Sequence, residues 1–264
     1  MDPAGVARRL LAAALLGLAL AAPASAQSAI LNTETLQPSD VSGFFLSLSA
    51  AANLKGGNSD VASMSGNGAV GAQGERNRAV LMGGLSYLSA SDTVSTNDRY
   101  AQLRYNRFFT KRTRTFHFVQ VQASRAQLLR RRVLVGSGLR HAFLAGENTR
   151  LDLGAGLMWE HERLDASRLP PGAAARGTDW RGELLAVASR RLSTSSRLSE
   201  VMYVEPRADR PSDLRVLSEL CLGANVTEGV ELSLSFRWRY DSRPPPSVRR
   251  YDVALEAGVG ALVR

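Results

Sequence analysis

Two runs of strict apolar/polar alternation close the chain. In the first, Val230, Leu232, Leu234, Phe236, Trp238 and Tyr240 share one face, and Glu231, Ser233, Ser235, Arg237 and Arg239 share the other. In the second, Tyr251, Val253, Leu255, Ala257, Val259, Ala261 and Val263 oppose Asp252, Ala254, Glu256, Gly258 and Gly260, and the stretch from Asp241 to Ser247, with three consecutive prolines, lies between the runs. A period of two held over about eleven residues predicts strands long enough to cross an outer membrane.

The same period recurs upstream. It predicts strands at 43–55, 61–73, 79–90, 99–108, 113–126, 133–145, 151–161, 180–191, 197–206, 214–225, 230–240 and 251–263, with no helix between them. Outward apolar rows are read at Leu46, Leu48 and Leu54, at Leu81, Leu85 and Tyr87, at Leu151, Leu153, Ala155, Leu157 and Trp159, and at Leu214, Val216, Leu220 and Leu222. The connections alternate. They are short after even-numbered strands (Gly74 to Arg78, Phe109 to Arg112, Gly146 to Arg150, Leu192 to Ser196, Val226 to Gly229) and mostly longer after odd-numbered ones (Ser91 to Asp98, Glu162 to Asp179, Arg207 to Asp213, Asp241 to Arg250). A meander of this kind with an even strand number predicts an all-β fold, a transmembrane antiparallel up-and-down β-barrel of about twelve strands. Its turns would be periplasmic and its longer loops extracellular.

Aromatic positions point the same way. Tyr87, Tyr100, Trp159, Trp180, Tyr203, Trp238, Tyr240 and Tyr251 fall at the long-loop ends of their strands, as a girdle at a membrane interface would. Phe44, Phe45, Phe108, Phe109, Phe116 and Phe143 fall at the short-turn ends. The competing architecture is a soluble periplasmic barrel that carries a small ligand.

The start of the chain fits an exported protein. Arg8 and Arg9 precede an apolar stretch from Leu10 to Ala22, and Ala24-Ser25-Ala26 forms a small-residue cleavage site, so residues 1–26 read as a cleavable signal peptide. Residues 27–42 are a polar lead-in containing Pro38, and 43–264 are the barrel. No later stretch reaches the roughly 20 apolar residues of a transmembrane helix. Cys221 is the only cysteine, which excludes a disulfide-stapled scaffold. The formal charge is +9, yet its cations are scattered along strands and loops with Arg130-Arg131-Arg132 as the one run, and no nucleic-acid module accompanies them.

Candidate chemistry narrows quickly. A lipase site would need Ser two residues after a His, but Val119, Phe143 and Arg163 stand there after His117, His141 and His161. Glu160, His161 and Glu162 alternate across a strand and cannot converge on a metal without a bulge. Gly66, Gly68, Gly71, Gly136 and Gly138 have no helix after them, so they relieve crowding at a bend or in the lumen rather than cradle phosphate. Asn58, Ser59 and Asp60 read as a polar hairpin turn, with calcium as the alternative. No catalytic, cofactor-binding or metal-ligating set is expected. The inward positions carry the remaining chemistry: Arg104, Arg140, Arg181, Arg215, Arg237 and Arg239 against Asp152, Glu160, Glu183, Glu219, Glu231, Asp252 and Glu256. Such nearly balanced charges are expected to pair, because an unpaired buried ion is costly. The lumen would then be largely closed by an ionic network, with a narrow water-filled pore as the alternative.

From residue 43 onward the chain resembles the salt-induced outer-membrane proteins, YdiY-like, a domain of unknown function numbered 481. The resemblance rests on Gly57-Asn58-Ser59-Asp60, on Arg132 leading into Gly136-Ser137-Gly138, on Leu151-Asp152-Leu153-Gly154-Ala155-Gly156, and on Tyr240, Pro244, Pro245, Tyr251 and Asp252. It implies a non-enzymatic outer-membrane barrel associated with salt or envelope stress and carries over no catalytic residue. The expected partners are outer-membrane lipid, the outer-membrane assembly machinery and a small solute in the lumen, with no nucleic acid. Barrels of that route usually end in an aromatic residue, whereas this chain ends Leu262-Val263-Arg264.

Overall fold

The computed structural model describes residues 42–55, 61–90, 93–227 and 230–261, together with Asn32 and Glu34. The expected signal peptide, most of the lead-in and the Asn58, Ser59 and Asp60 turn lie outside the described residues, as does the side chain of Glu231.

Twelve strands follow one another: β1 (Gly43–Lys55), β2 (Val61–Gln73), β3 (Asn77–Ala90), β4 (Thr93–Phe108), β5 (Thr113–Ser124), β6 (Leu129–Ala145), β7 (Thr149–Leu164), β8 (Arg176–Arg191), β9 (Ser196–Pro206), β10 (Leu214–Thr227), β11 (Val230–Asp241) and β12 (Tyr251–Ala261). They form one antiparallel sheet in chain order. A single 3-10 turn, Ala166–Arg168, interrupts the β7–β8 loop and is capped by the Asp165 side chain, which accepts from the Ser167 amide. Among the described residues no hydrogen-bonded ladder joins β1 to β12. The sheet is nevertheless rolled on itself, because one cavity is lined jointly by Asn67 of β2, Gln122 of β5, Glu219 of β10, Arg239 of β11 and Glu256 of β12.

Several strands outrun their expected limits. β4 begins at Thr93 rather than near 99, so most of the connection expected from Ser91 to Asp98 is instead part of the strand. A bulge after Leu88 lets Ser89 pair with Val94 while Leu88 pairs with Thr96, and the β-branched Val94 and Thr96 favour this extension. β7 and β8 likewise add paired residues, from Arg163 with Arg176 to Glu160 with Asp179. The remaining long loops, 165–175, 207–213 and 242–250, all follow odd-numbered strands, and the turns 74–76, 109–112, 146–148 and 192–195 cluster at the opposite end.

Side-chain polarity is inverted relative to a soluble protein. Leu81, Leu103, Leu139, Leu153, Leu157, Leu184, Leu232, Leu234 and Leu255 are exposed on the outer face, while Arg104, Asp152, Glu160, Arg181, Glu183 and Arg215 are buried inside. Water would penalise such an exterior, and lipid would not. The chain is thus a transmembrane antiparallel up-and-down barrel. Its interior is not wholly charged, because three apolar clusters fill part of it: Phe45, Ala69, Val80 and Met82; Phe116, Phe118, Leu134 and Met158; and Leu185, Val201, Tyr203 and Leu217.

Candidate functional site

The inward face of each strand is fixed by its period of two, so one wall residue sets its neighbours two apart. On β4 this brings Thr96, Tyr100, Gln102, Arg104 and Asn106 into the lumen together. Tyr100 is therefore not part of an outer aromatic girdle. It packs beside Phe45, Val80 and Met82, and its hydroxyl donates to Asn67 Oδ1 at 3.3 Å. Tyr203 is the second correction. It shares the inward face of β9 with Val201 and Glu205 and is 4 % exposed. Trp180 and Tyr251 do lie exposed on the outer face, Tyr87, Trp159, Trp238 and Tyr240 are half-buried there, and the register sets Trp159 beside Trp180 and Tyr240 beside Tyr251. Of the phenylalanines, Phe44, Phe109 and Phe143 are exposed, whereas Phe45 and Phe116 are buried in the interior.

The interior charges form two principal networks. Toward the long loops, Glu160 accepts from Arg215 at 2.7 Å and lies 3.7 Å from both Arg132 and Arg181. Arg132 also pairs with Glu162 at 2.6 Å, Arg181 with Asp213 at 2.9 Å, and Arg215 with Asp241 at 3.1 Å. At the rim Arg207 bridges Asp179, at 2.9 Å, and Asp209, and its hydrogen bond holds the Asp209 carboxyl below its ordinary value. Toward the short turns, Asp152 is fully buried and receives Arg140, Arg150 and Arg114 at 2.9, 3.0 and 3.2 Å. A smaller triad joins Arg237 to Glu219 at 2.7 Å and to Glu256 at 3.1 Å. Between the networks Gln102, Gln120 and Gln122 form a hydrogen-bonded row.

One member of this interior comes from outside the sheet. Glu34, in the polar lead-in, places Oε1 2.9 Å from Arg104 Nη1 and Oε2 2.6 Å from Arg140 Nη1. Asn32, whose Oδ1 accepts from the Glu34 amide at 3.1 Å, lines the cavity bounded by Tyr100, Gln122 and Arg239. Asn32 and Glu34 of the lead-in therefore lie inside the barrel. Glu34 also accounts for a departure from the expected pairing. Glu183 is buried beside Arg104, but Arg104 is engaged by Glu34, and Glu183 makes no ion pair among the described residues. Arg239 and Asp252 are cross-strand partners by register, yet neither forms an ion pair there among the described residues. Arg78, Arg114, Arg132, Asp213 and Asp241 join the interior although alternation did not single them out. Several sit at strand ends, beyond the limits expected from periodicity.

The histidines all face outward. His117 contacts Ser137 Oγ at 2.9 Å and stacks on Tyr105; His141 meets Thr113 at 2.8 Å; His161 meets Thr178 at 2.8 Å and stacks on Trp159. Among the described residues no group of His, Cys, Asp and Glu could hold a metal ion. The glycines do relieve crowding inside. The Phe116 ring occupies the space where side chains at Gly138 and Gly156 would begin, with 2.9 Å left at Gly156, and the Phe118 ring does the same at Gly136.

The family described as "Protein of unknown function, DUF481" matches residues 48–261. The chain belongs to that family. No curated protein matches it in sequence. Solved structures similar to this DUF481 barrel include the NanC porin, at 8 % identity and TM-score 0.48, covering 83 % of this chain and 99 % of the other. A bacterial polysaccharide outer membrane secretin matches at 9 % identity and TM-score 0.45, covering 85 % and 100 %. The translocator domain of autotransporter NalP from Neisseria meningitidis matches at 12 % and 0.43, covering 87 % and 91 %.

Proposed function

We propose that the protein is an exported, non-enzymatic outer-membrane barrel of the Gram-negative envelope, associated with salt or envelope stress, whose lumen is largely closed by its ionic network. The observation that carries the closed lumen is the convergence of paired ions across it: Glu160 of β7 bonds Arg215 of β10, and Glu34 of the lead-in bonds Arg104 of β4 and Arg140 of β6. Buried ions so arranged leave few charges for a permeating ion to exploit, and opening the lumen would strand them without partners. A narrow pore is the second reading. It is favoured by two interior cavities of about 290 and 590 Å³ toward opposite ends of the lumen. The salt association rests on the family resemblance alone.

Conductance separates the two readings. The purified protein in planar lipid bilayers is expected to conduct little, and replacing Arg237 and Arg239 together with Ala is expected to raise conductance, because Arg237 ties Glu219 to Glu256 across β10 to β12. Large, steady channels from the unmodified protein would overturn the closed lumen.

A further inference from the structure

We propose that the short-turn end of the lumen is a binding site for a small carboxylate-bearing solute, and that Glu34 is the site's own tethered occupant. The proposal rests on the barrel reading above, but not on whether the lumen conducts.

The site is built into the barrel wall and does not need Glu34 to exist. Arg104 is 3 % exposed, and its guanidinium lies over the Phe116 ring at 5.4 Å. Arg140 is held from behind by Asp152 at 2.9 Å. Beside them Arg78 lies over Phe45 at 5.3 Å and Arg114 over Phe108 at 5.6 Å. Guanidinium groups fixed on aromatic faces and by a buried carboxylate are preorganised, so an arriving anion need not order them. Each oxygen of Glu34 meets a different arginine, which is the charge-assisted geometry a free carboxylate would adopt in the same place.

Charge around the site is lopsided. The cavity of about 590 Å³ is lined by Arg78, Lys111, Arg114, Arg140, Arg191 and Arg197, and Glu34 is one of the few acids that reach it. A low-dielectric cleft of one sign concentrates ligands of the other, and this volume lies in the range of small-molecule sites. Elsewhere in the lumen the wall supplies its own counterions, as Glu160 does for Arg132 and Arg215. Here the wall supplies one buried carboxylate, Asp152, to Arg114, Arg140 and Arg150, and a second counterion comes from a residue outside the sheet, 70 positions from Arg104 and 106 from Arg140. Such an occupant can leave without breaking any strand pairing. While seated it competes as an intramolecular ligand at an effective concentration on the order of millimolar.

The test uses the full mature chain refolded in detergent, with glucuronate as the probe and glucose as the neutral control. The readout is the temperature at which the heat-modifiable folded band is lost, since a ligand of the folded state raises it. Glu34→Gln removes the competing charge, so glucuronate is expected to raise the unfolding temperature of this variant at a concentration about tenfold or more below that needed for the parent. Adding Arg140→Gln should abolish the response, and glucose should have no effect. Equal responses of parent and Glu34→Gln, an equal effect of glucose, or a response that survives Arg140→Gln would overturn the proposal. Should Glu34→Gln fail to refold, Glu34→Asp, which draws the carboxylate back by one methylene, should shift the effective concentration in the same direction by less, and no shift would overturn the proposal. Because unfolding temperature is independent of conduction, open channels from the parent would overturn the closed lumen and leave this result standing.

Discussion

At the scale of single residues, the interior is organised by layers of glycine, phenylalanine and arginine. Gly138 on β6 and Gly156 on β7 leave the gap into which the Phe116 ring fits, and the Arg104 guanidinium lies on that ring. A methyl group at Gly138 has no free space, because both the ring and the Ala155 carbonyl already occupy its position. Gly138→Ala is therefore expected to destabilise the folded barrel by about 1 to 3 kcal/mol, the usual cost of overpacking. Gly74→Ala, in a turn with nothing within 4 Å of the added atom, is the control, expected within about 0.5 kcal/mol of the parent. Urea titration of the lipid-refolded proteins would measure both, and equal midpoints would rule out the layered packing. The glycines themselves were legible as relief of crowding, since no helix follows them. Their aromatic partners were not, because Phe116 and Phe118 share a face with Gln120 and Gln122 while the opposite face offers His117, Val119 and Val121. Alternation groups such residues correctly but does not say which mixed face is inside. Tyr100 and Tyr203 went astray for a related reason. Their height suited a girdle, but Arg104 on the same face as Tyr100 fixes that face inward.

At the scale of elements, the last hairpin and β7 were plain because the middle of one face of each is apolar, Leu151 to Trp159 on β7, and the other face carries the ions. Strand ends were harder. Arg78, Arg132 and Glu162 lie just beyond the limits periodicity suggested, yet they pair within the sheet and reach the interior, since nothing in the local pattern distinguishes a charged strand end from a loop. The outward rows make a quantitative prediction. On β11, Leu234 lies near mid-strand, and Val230 and Tyr240 lie near its ends. In lipid, Arg costs roughly 2 to 4 kcal/mol near the midplane and much less at the interfaces. Leu234→Arg should thus destabilise the lipid-refolded protein most, with Val230→Arg and Tyr240→Arg closer to the parent, as read by heat-modifiable gel mobility. A uniform penalty along β11 would mean that this face is not bounded by a bilayer.

At the scale of the whole molecule, strand number and chain-order pairing were readable because the period of two recurs twelve times and most connections between the runs are too short to do anything but return to the neighbouring strand. The lead-in was not. Asn32 and Glu34 sit in a stretch without periodicity, and only the ion pairs with Arg104 and Arg140 inside the barrel give Glu34 its place. Orientation follows from the connections: the loops 165–175, 207–213 and 242–250 share one end with the half-buried and exposed aromatics Trp159, Trp180, Tyr240 and Tyr251, and the turn 192–195 lies at the other. Long polar loops face outside in barrels of this class. Ser167 and Ser247 are exposed in two of those loops, and Ser195 is exposed in the turn, so all three sites are equally open to a reagent that can reach them. With Cys221 replaced by Ser to remove the one native thiol, cysteine at Ser167 or Ser247 is expected to react with a membrane-impermeant maleimide on intact cells. Cysteine at Ser195 should react only after the envelope is permeabilised. Labelling of Ser195→Cys on intact cells, with Ser167→Cys and Ser247→Cys silent, would invert the barrel and move the Glu34 site from the periplasmic mouth to the cell surface.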